Sequence, residues 1–182
     1  MHSWQRRTDT GWSVRIAPDL AAVAIFDPAG ALRGELFPAE GEEFAAHFSR
    51  LNRETAAEAI DRYGPALTKG VPALLRLPDG TSAEVLDGKR DASRRKNKLC
   101  EVSIVGRRYR LEHSSGRKAT ALRDGTALAK YARARGLRAT AVSRRALSAT
   151  DEIDECVLTL FQKVILPGRE GAFAEALSVL SV

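Results

Sequence analysis

The residue types that most often carry chemistry are few in this chain, and they are scattered along it. The three histidines are His2, His47 and His113, and the two cysteines are Cys100 and Cys156. None of them stands in a His-x-His, Glu-x-x-His or Cys-x-x-Cys spacing, so the sequence offers no local metal or dithiol site. Two isolated cysteines in a cytosolic chain are expected to be small buried side chains.

Motifs for nucleophilic or phosphate chemistry are absent as well. The chain contains no Gly-x-Ser-x-Gly, no Gly-x₄-Gly-Lys-Ser/Thr and no Gly-x-Gly-x-x-Gly. Asp151, Glu152, Asp154 and Glu155 form a carboxylate cluster, but they open a predicted helix, where negative charge is favourable for electrostatic reasons alone. General acid–base catalysis would require one of these carboxyl groups to be buried with a raised pKa. We therefore predict no enzyme, no cofactor and no metal.

Charge is the most distinctive property of the sequence. The net charge is +6, but residues 89–146 carry 18 Lys or Arg against 4 Asp or Glu, while both flanking segments are acidic. Within this basic segment, residues 87–98 contain six cations and no apolar anchor, which predicts a mobile loop. Such a loop is either plainly solvated or a finger that contacts phosphate groups, where each cation releases counterions from a polyanion.

The predicted anion-binding residues lie in this loop or on the strands that follow it. They are Lys89, Arg90, Arg94, Arg95, Lys96, Lys98, Arg107, Arg108 and Arg110.

Most of the chain alternates apolar and polar residues with the period of a half-buried strand, and short turns such as Asp124-Gly125 separate the runs. The predicted strands are 12–16, 20–26, 31–37, 71–77, 82–86, 100–104, 108–112, 118–123, 126–133 and 137–142. On the later strands, the arginines that alternate with apolar residues, among them Arg123 and Arg144, are expected to point mostly to solvent.

Two regions have helical periodicity instead. Residues 40–63 fit one or two helical pieces with an apolar stripe. Residues 151–166 form the strongest helix, with Thr150 and Asp151 as candidate caps and Pro167-Gly168 as its end. A short helix over residues 173–180 is expected to close over the edge of the sheet.

The order of elements from residue 99 to residue 166 resembles the C-terminal half of the tubby-like fold, a superfamily that includes phospholipid scramblase-related and LURP-one-related proteins. The matching segments are Val105-Gly106-Arg107-Arg108-Tyr109-Arg110-Leu111, the strand pair over 122–130, and Asp151-Glu152-Ile153 opening an apolar helix. The resemblance implies an antiparallel barrel around a C-terminal helix, and binding of anionic lipid head groups or scaffolding. Polar side chains on the helix leave open whether the barrel closes around it.

We therefore expect a single domain over residues 1–182, mainly β, with an antiparallel β barrel or strongly curved sheet built of hairpins, a C-terminal core helix and a helical insert near residues 40–63. The expected function is a non-enzymatic binding or scaffolding module whose basic face meets an anionic partner such as lipid head groups. The alternatives are protein–protein interaction or self-association as a structural protein, and nucleic-acid binding. No apolar signal core or membrane span is seen, which favours a cytoplasmic protein.

Overall fold

The structure, a computed structural model, describes residues 4–46, 58, 60–61, 64–68, 70–88, 99–115, 117–134 and 141–165. Its main feature is one antiparallel sheet of eleven strands in the order β1-β2-β3-β4-β7-β8-β9-β10-β11-β12-β13. Each strand of this sheet pairs with the next one in sequence, except that β4 pairs with β7 because β5 and β6 are not part of the sheet. This arrangement confirms the prediction of a mainly β chain built of hairpins.

The strands are β1 (Gln5–Arg7), β2 (Ser13–Ile16), β3 (Val23–Phe26), β4 (Leu32–Phe37), β5 (Ala45–Ala46), β6 (Pro65–Ala66), β7 (Ala73–Arg76), β8 (Ser82–Asp87), β9 (Leu99–Ile104), β10 (Arg107–Ser115), β11 (Lys118–Arg123), β12 (Thr126–Arg133) and β13 (Val142–Ala146). The short strands β5 and β6 pair only with each other.

The sheet is curved but not closed, with β1 and β13 as its two edges. Its inner side carries alternate residues of each strand: Cys100, Val102 and Ile104 on β9 are buried, while Glu101 and Ser103 between them are more exposed. The sequence left open a closed barrel or a strongly curved sheet, and the structure shows the curved sheet.

Two tight turns set the register on this part of the sheet. Val105-Gly106 joins β9 to β10 and Asp124-Gly125 joins β11 to β12, and all four residues have φ between 51° and 84°. Positive φ at both central residues is the geometry whose twist matches that of the flanking strands. Glycine tolerates this conformation at the second position of each turn.

A bulge on β12 then shifts the register. Leu122 lies opposite Ala127, but Ala121 lies opposite Ala129, so Leu128 is an extra residue on β12. Because side chains alternate between faces, this single insertion decides which residues beyond it face outward. Beyond the bulge, Lys130 is exposed and Tyr131 is buried.

The C-terminal helix α1 (Glu152–Leu160) continues into a π-helical turn, Phe161–Ile165. Asp151 caps it: its side chain accepts a hydrogen bond from the Asp154 backbone N–H, and the Asp154 side chain accepts one from the Asp151 N–H. All seven residues from Cys156 to Gln162 are buried. Seven residues span nearly two turns, so the helix is covered on every side, and it lies inside the curve of the sheet.

Several elements differ from the sequence prediction. The predicted helix over residues 40–63 is wrong in its first part, because residues 42–44 are not helical and Ala45–Ala46 forms a strand with Pro65–Ala66. Phe44 is 4% exposed and packs in the core. Burial of its side chain outweighs the helical spacing of the sequence here. Of the remainder, Glu58, Ile60 and Asp61 are helical.

Other predicted elements lie partly or wholly beyond what the structure describes. The last strand runs over Val142–Ala146, and of the predicted strand 137–142 the residues 137–140 are outside the described part. The predicted basic loop begins inside β8, which ends at Asp87, and its cations from 89 to 98 are outside the described residues, as is the predicted helix over 173–180.

Candidate functional site

The carboxylate cluster at the start of α1 has one buried member, Asp154, whose side chain is 0% exposed. Its two oxygens accept hydrogen bonds from the Tyr109 hydroxyl at 2.8 Å, from Nη1 of Arg107 at 3.3 Å, from Nη1 of Arg123 and from the Asp151 backbone N–H. These four donors occupy the acceptor sites of the carboxylate. It joins the helix to β10 and β11 and has no capacity left for a substrate.

The other charged groups at this end of the helix are also paired. Arg107 contacts Asp151 at 2.6 Å, and Arg33 contacts Glu152 at 3.1 Å. Burial alone would raise the pKa of Asp151, but the Asp154 N–H and the Arg107 guanidinium outweigh it and lower that pKa. The cluster therefore stabilises the first turn of the helix and its packing against the sheet.

A second polar contact lies where the two edges of the sheet approach each other. Arg144 on β13 donates to Glu155 of the helix at 2.7 Å and to the Thr10 hydroxyl, which follows β1, at 3.1 Å. The Arg144 side chain is only 4% exposed. The expectation that Arg123 and Arg144 point to solvent was therefore wrong, because both turn inward to carboxylates of the helix, Asp154 and Glu155.

The structure shows where some of the predicted anion-binding residues lie. Arg107 is paired with Asp151 and Asp154, as described above. Arg108 contacts Glu101 at 2.7 Å, and Arg110 approaches Glu112 at 3.2 Å and Glu101 at 3.4 Å. These three arginines each have a carboxylate partner on the protein itself. Lys89, Arg90, Arg94, Arg95, Lys96 and Lys98 lie outside the described residues.

A different set of cations lies on the outer face of β11 to β13. We name Lys118, Lys130 and Arg145 the outer basic patch. All three are exposed, and Lys130 lies directly opposite Arg145 in the β12–β13 pairing. Within the described part of the chain, no carboxylate pairs with any of the three.

The outer basic patch borders a half-open concavity of about 650 Å³ formed by β10 to β13. Three hydroxyl groups lie in the same lining, on Ser114, Thr120 and Ser143. The Ser114 hydroxyl donates to the Lys118 carbonyl at 3.3 Å, and the Ser143 hydroxyl donates to the Ala132 carbonyl at 3.1 Å. Alternation along each strand predicts that these hydroxyl residues face outward, but it does not show which of them lie side by side.

A smaller concavity of about 190 Å³ lies between the turn that joins β2 to β3 and the segment that follows β4. Asp19, Glu42 and Glu43 line it together with apolar side chains including Phe44 and Ile60. Glu42 accepts a hydrogen bond from the Thr68 hydroxyl at 3.0 Å. Its acidic lining contrasts with the outer basic patch and parallels the charge difference between residues 1–88 and 89–146.

The potential metal ligands and thiols do not assemble into a site in the part of the chain that the structure covers. No three His, Cys, Asp or Glu side chains there come together in a way that would hold a metal ion. Cys100 and Cys156 are free and buried, and burial raises the pKa of Cys156 to about 12. Such thiols are poor nucleophiles because the thiolate is suppressed.

No helix in the described ranges combines the length and the apolar composition of a membrane-crossing segment. Comparisons of this chain with protein-family models, with curated proteins and with solved structures found no match.

Proposed function

We propose that the protein is a non-enzymatic binding module, and that its outer basic patch holds an anionic partner such as lipid head groups. The observation that carries the proposal is the placement of Lys130 directly opposite Arg145 with no carboxylate beside them among the described residues. Lys118 adds a third cation on the neighbouring strand. The tubby-like resemblance in the sequence implies the same class of partner.

Cross-strand partners of like charge repel each other and destabilise a sheet by roughly 0.2–1 kcal/mol. The neighbouring outer surface avoids this cost, because Arg108 and Arg110 lie beside Glu101 and Glu112. An anion bound between Lys130 and Arg145 would remove the repulsion and gain charge-assisted hydrogen bonds. A binding role explains why these two like charges lie together, although the neighbouring outer surface pairs its arginines with carboxylates.

Nucleic acid is a less suitable partner for this surface. Proteins that bind single strands stack bases on exposed aromatic rings as well as contacting phosphates. Tyr109 and Tyr131, the aromatic residues of β10 and β12, are 0% and 2% exposed. Their hydroxyls are bonded to Asp154 and to the Leu158 carbonyl, so both rings belong to the core.

Vesicle sedimentation tests the proposal. Phosphatidylcholine vesicles with phosphatidylserine should pull down the protein, vesicles of phosphatidylcholine alone should not, and binding should fall as salt rises from about 50 mM to about 200 mM. The double variant Lys130→Glu/Arg145→Glu should lose binding.

The matched control is Arg15→Glu/Arg76→Glu, which changes the net charge equally. Both control arginines are exposed on other strands, over the rings of Phe26 and Phe37. The control should bind as the unaltered protein does. Equal loss in both variants, or binding that is independent of salt, would show that the outer basic patch is not the site.

A further inference from the structure

The concavity beside the outer basic patch has two rows of side chains with different hydrogen-bonding capacity. In the first row, Thr120, Lys130 and Arg145 lie opposite one another on β11, β12 and β13. Both cations are donors only, and the Thr120 hydroxyl has no partner among the described residues. On β10 the row continues with Glu112, which lies opposite Thr120 and contacts Arg110, so the end at Lys130 and Arg145 is the part that offers protons to an anionic group.

The second row lies two residues further along the strands, about 7 Å away. Lys118, Ala132 and Ser143 are opposite one another there, and Ser114 lines the concavity beside Lys118. The hydroxyl protons of Ser114 and Ser143 are already used in bonds to backbone carbonyls. Each serine oxygen therefore remains available to a ligand as an acceptor, and not as a donor.

The acceptor oxygens of the second row disfavour a polyanion that carries no hydroxyl groups. Phosphate oxygens placed beside Ser114 or Ser143 would meet acceptor oxygens, so an anionic group in the second row is compensated only at Lys118. A ligand that carries hydroxyl groups next to its phosphate would instead donate to those oxygens while its phosphate lies between Lys130 and Arg145.

The size of the site agrees with a small molecule. Its volume of about 650 Å³ falls within the roughly 300–1,000 Å³ of small-molecule pockets. Among the described residues of its lining, the aromatic ring is that of Tyr131, which is 2% exposed and so offers no surface on which a nucleobase would stack.

We propose that the concavity binds a phosphorylated sugar or polyol, with a phosphate between Lys130 and Arg145, a second anionic group at Lys118 and hydroxyl groups on Ser114 and Ser143. This inference rests on the proposed function and specifies the chemistry of the partner. The same chemistry occurs in free sugar phosphates and in phosphorylated lipid head groups.

Isothermal titration with soluble probes tests this chemistry. Fructose 1,6-bisphosphate should bind at least about tenfold more tightly than inorganic phosphate, because it adds a second phosphate and hydroxyl donors, and fructose should give no measurable heat. Ser143→Ala should weaken binding of the bisphosphate by about fivefold and leave inorganic phosphate unchanged, since one net hydrogen bond is worth about 1 kcal/mol. Lys130→Glu should abolish binding of both anions.

Circular dichroism and thermal unfolding of each variant confirm that it is folded before titration, and Thr120→Val supplies a second, isosteric probe of the first row. Thr120→Val should weaken both anions alike, because the hydroxyl donates to phosphate in either case.

The outcomes separate this inference from the proposed function. If vesicles bind through Lys130 and Arg145 but the bisphosphate binds no better than inorganic phosphate, the sugar-phosphate inference is overturned and the proposed function stands. If the bisphosphate binds as expected and vesicles do not, the inference holds with a soluble partner. If no anion and no vesicle binds, both are wrong.

Discussion

The hydroxyl of Tyr109 lies 2.8 Å from Oδ1 of Asp154, a residue 45 positions later in the chain. Tyr109 comes from the inner face of β10 and Asp154 from the first turn of α1, and both are 0% exposed. Arg107 and Arg123 reach the same carboxylate from β10 and β11. One buried carboxylate thus joins the first turn of the helix to two strands of the sheet.

We expect Tyr109→Phe to be more destabilising than Tyr131→Phe. The Tyr109 hydroxyl donates to a carboxylate, a contact worth roughly 1.5–3 kcal/mol, whereas the Tyr131 hydroxyl donates at 3.0 Å to the Leu158 carbonyl, worth roughly 0.5–1.5 kcal/mol. Urea unfolding of the two variants measures the difference. Equal losses would mean that the contact of Tyr109 with the carboxylate stabilises the protein no more than the contact of Tyr131 with a carbonyl does.

Asp154→Asn should destabilise the protein by about 1.5–3 kcal/mol, because a neutral amide replaces the carboxylate that accepts from Tyr109 and Arg123. Glu152→Gln is the control on the same helical turn. Glu152 is 68% exposed in its pair with Arg33, so its replacement should cost no more than about 1 kcal/mol. A small effect of Asp154→Asn would contradict the central position of this carboxylate.

Gly34→Ala tests how closely β4 approaches the helix. A Cβ at Gly34 would lie 3.0 Å from Sγ of Cys156 and 3.4 Å from Cδ1 of Leu75, so we expect a loss of about 1–3 kcal/mol from overpacking. Removing the sulfur with Cys156→Ala should make the Gly34→Ala change milder. A double-mutant cycle in chemical denaturation gives the coupling energy, and additive effects would place the strain elsewhere.

Stability should fall at alkaline pH. Burial raises the pKa of Cys156 from 9.0 to about 12, and burial also raises the pKa values of Cys100, Tyr109 and Tyr131. The folded state therefore favours the neutral forms. Their contribution is complete below the unfolded pKa of each group and is lost as pH rises toward the folded pKa.

The unfolding free energy should therefore decrease between about pH 8 and about pH 10.5, and Cys156→Ala should reduce that decrease by at most about 2 kcal/mol. Urea unfolding midpoints across this range provide the measurement. A midpoint that stays constant in the unaltered protein would contradict the burial of these groups.

Much of the architecture follows from local sequence patterns. Alternation in β9 and β10, the Asp124-Gly125 turn and the capped apolar helix after Asp151 each depend on neighbouring residues, so their physical causes are visible in the sequence. The spacing of apolar residues was a less reliable guide where burial of a side chain favoured a different local structure. Phe44 has helical spacing in the sequence, yet it lies outside any helix and is buried in the core.

By itself the sequence determined a chain of hairpins, a C-terminal helix and a basic segment after residue 88, because periodicity, turns and charge are local properties. Only the tertiary structure decided which cations are compensated. The tight turn alone would place Lys130 opposite Ala119 on the inner face, but the extra residue Leu128 moves it opposite Thr120 and outward, beside Arg145. Charge compensation depends on neighbours across strands, and that neighbourhood exists only once the register is set.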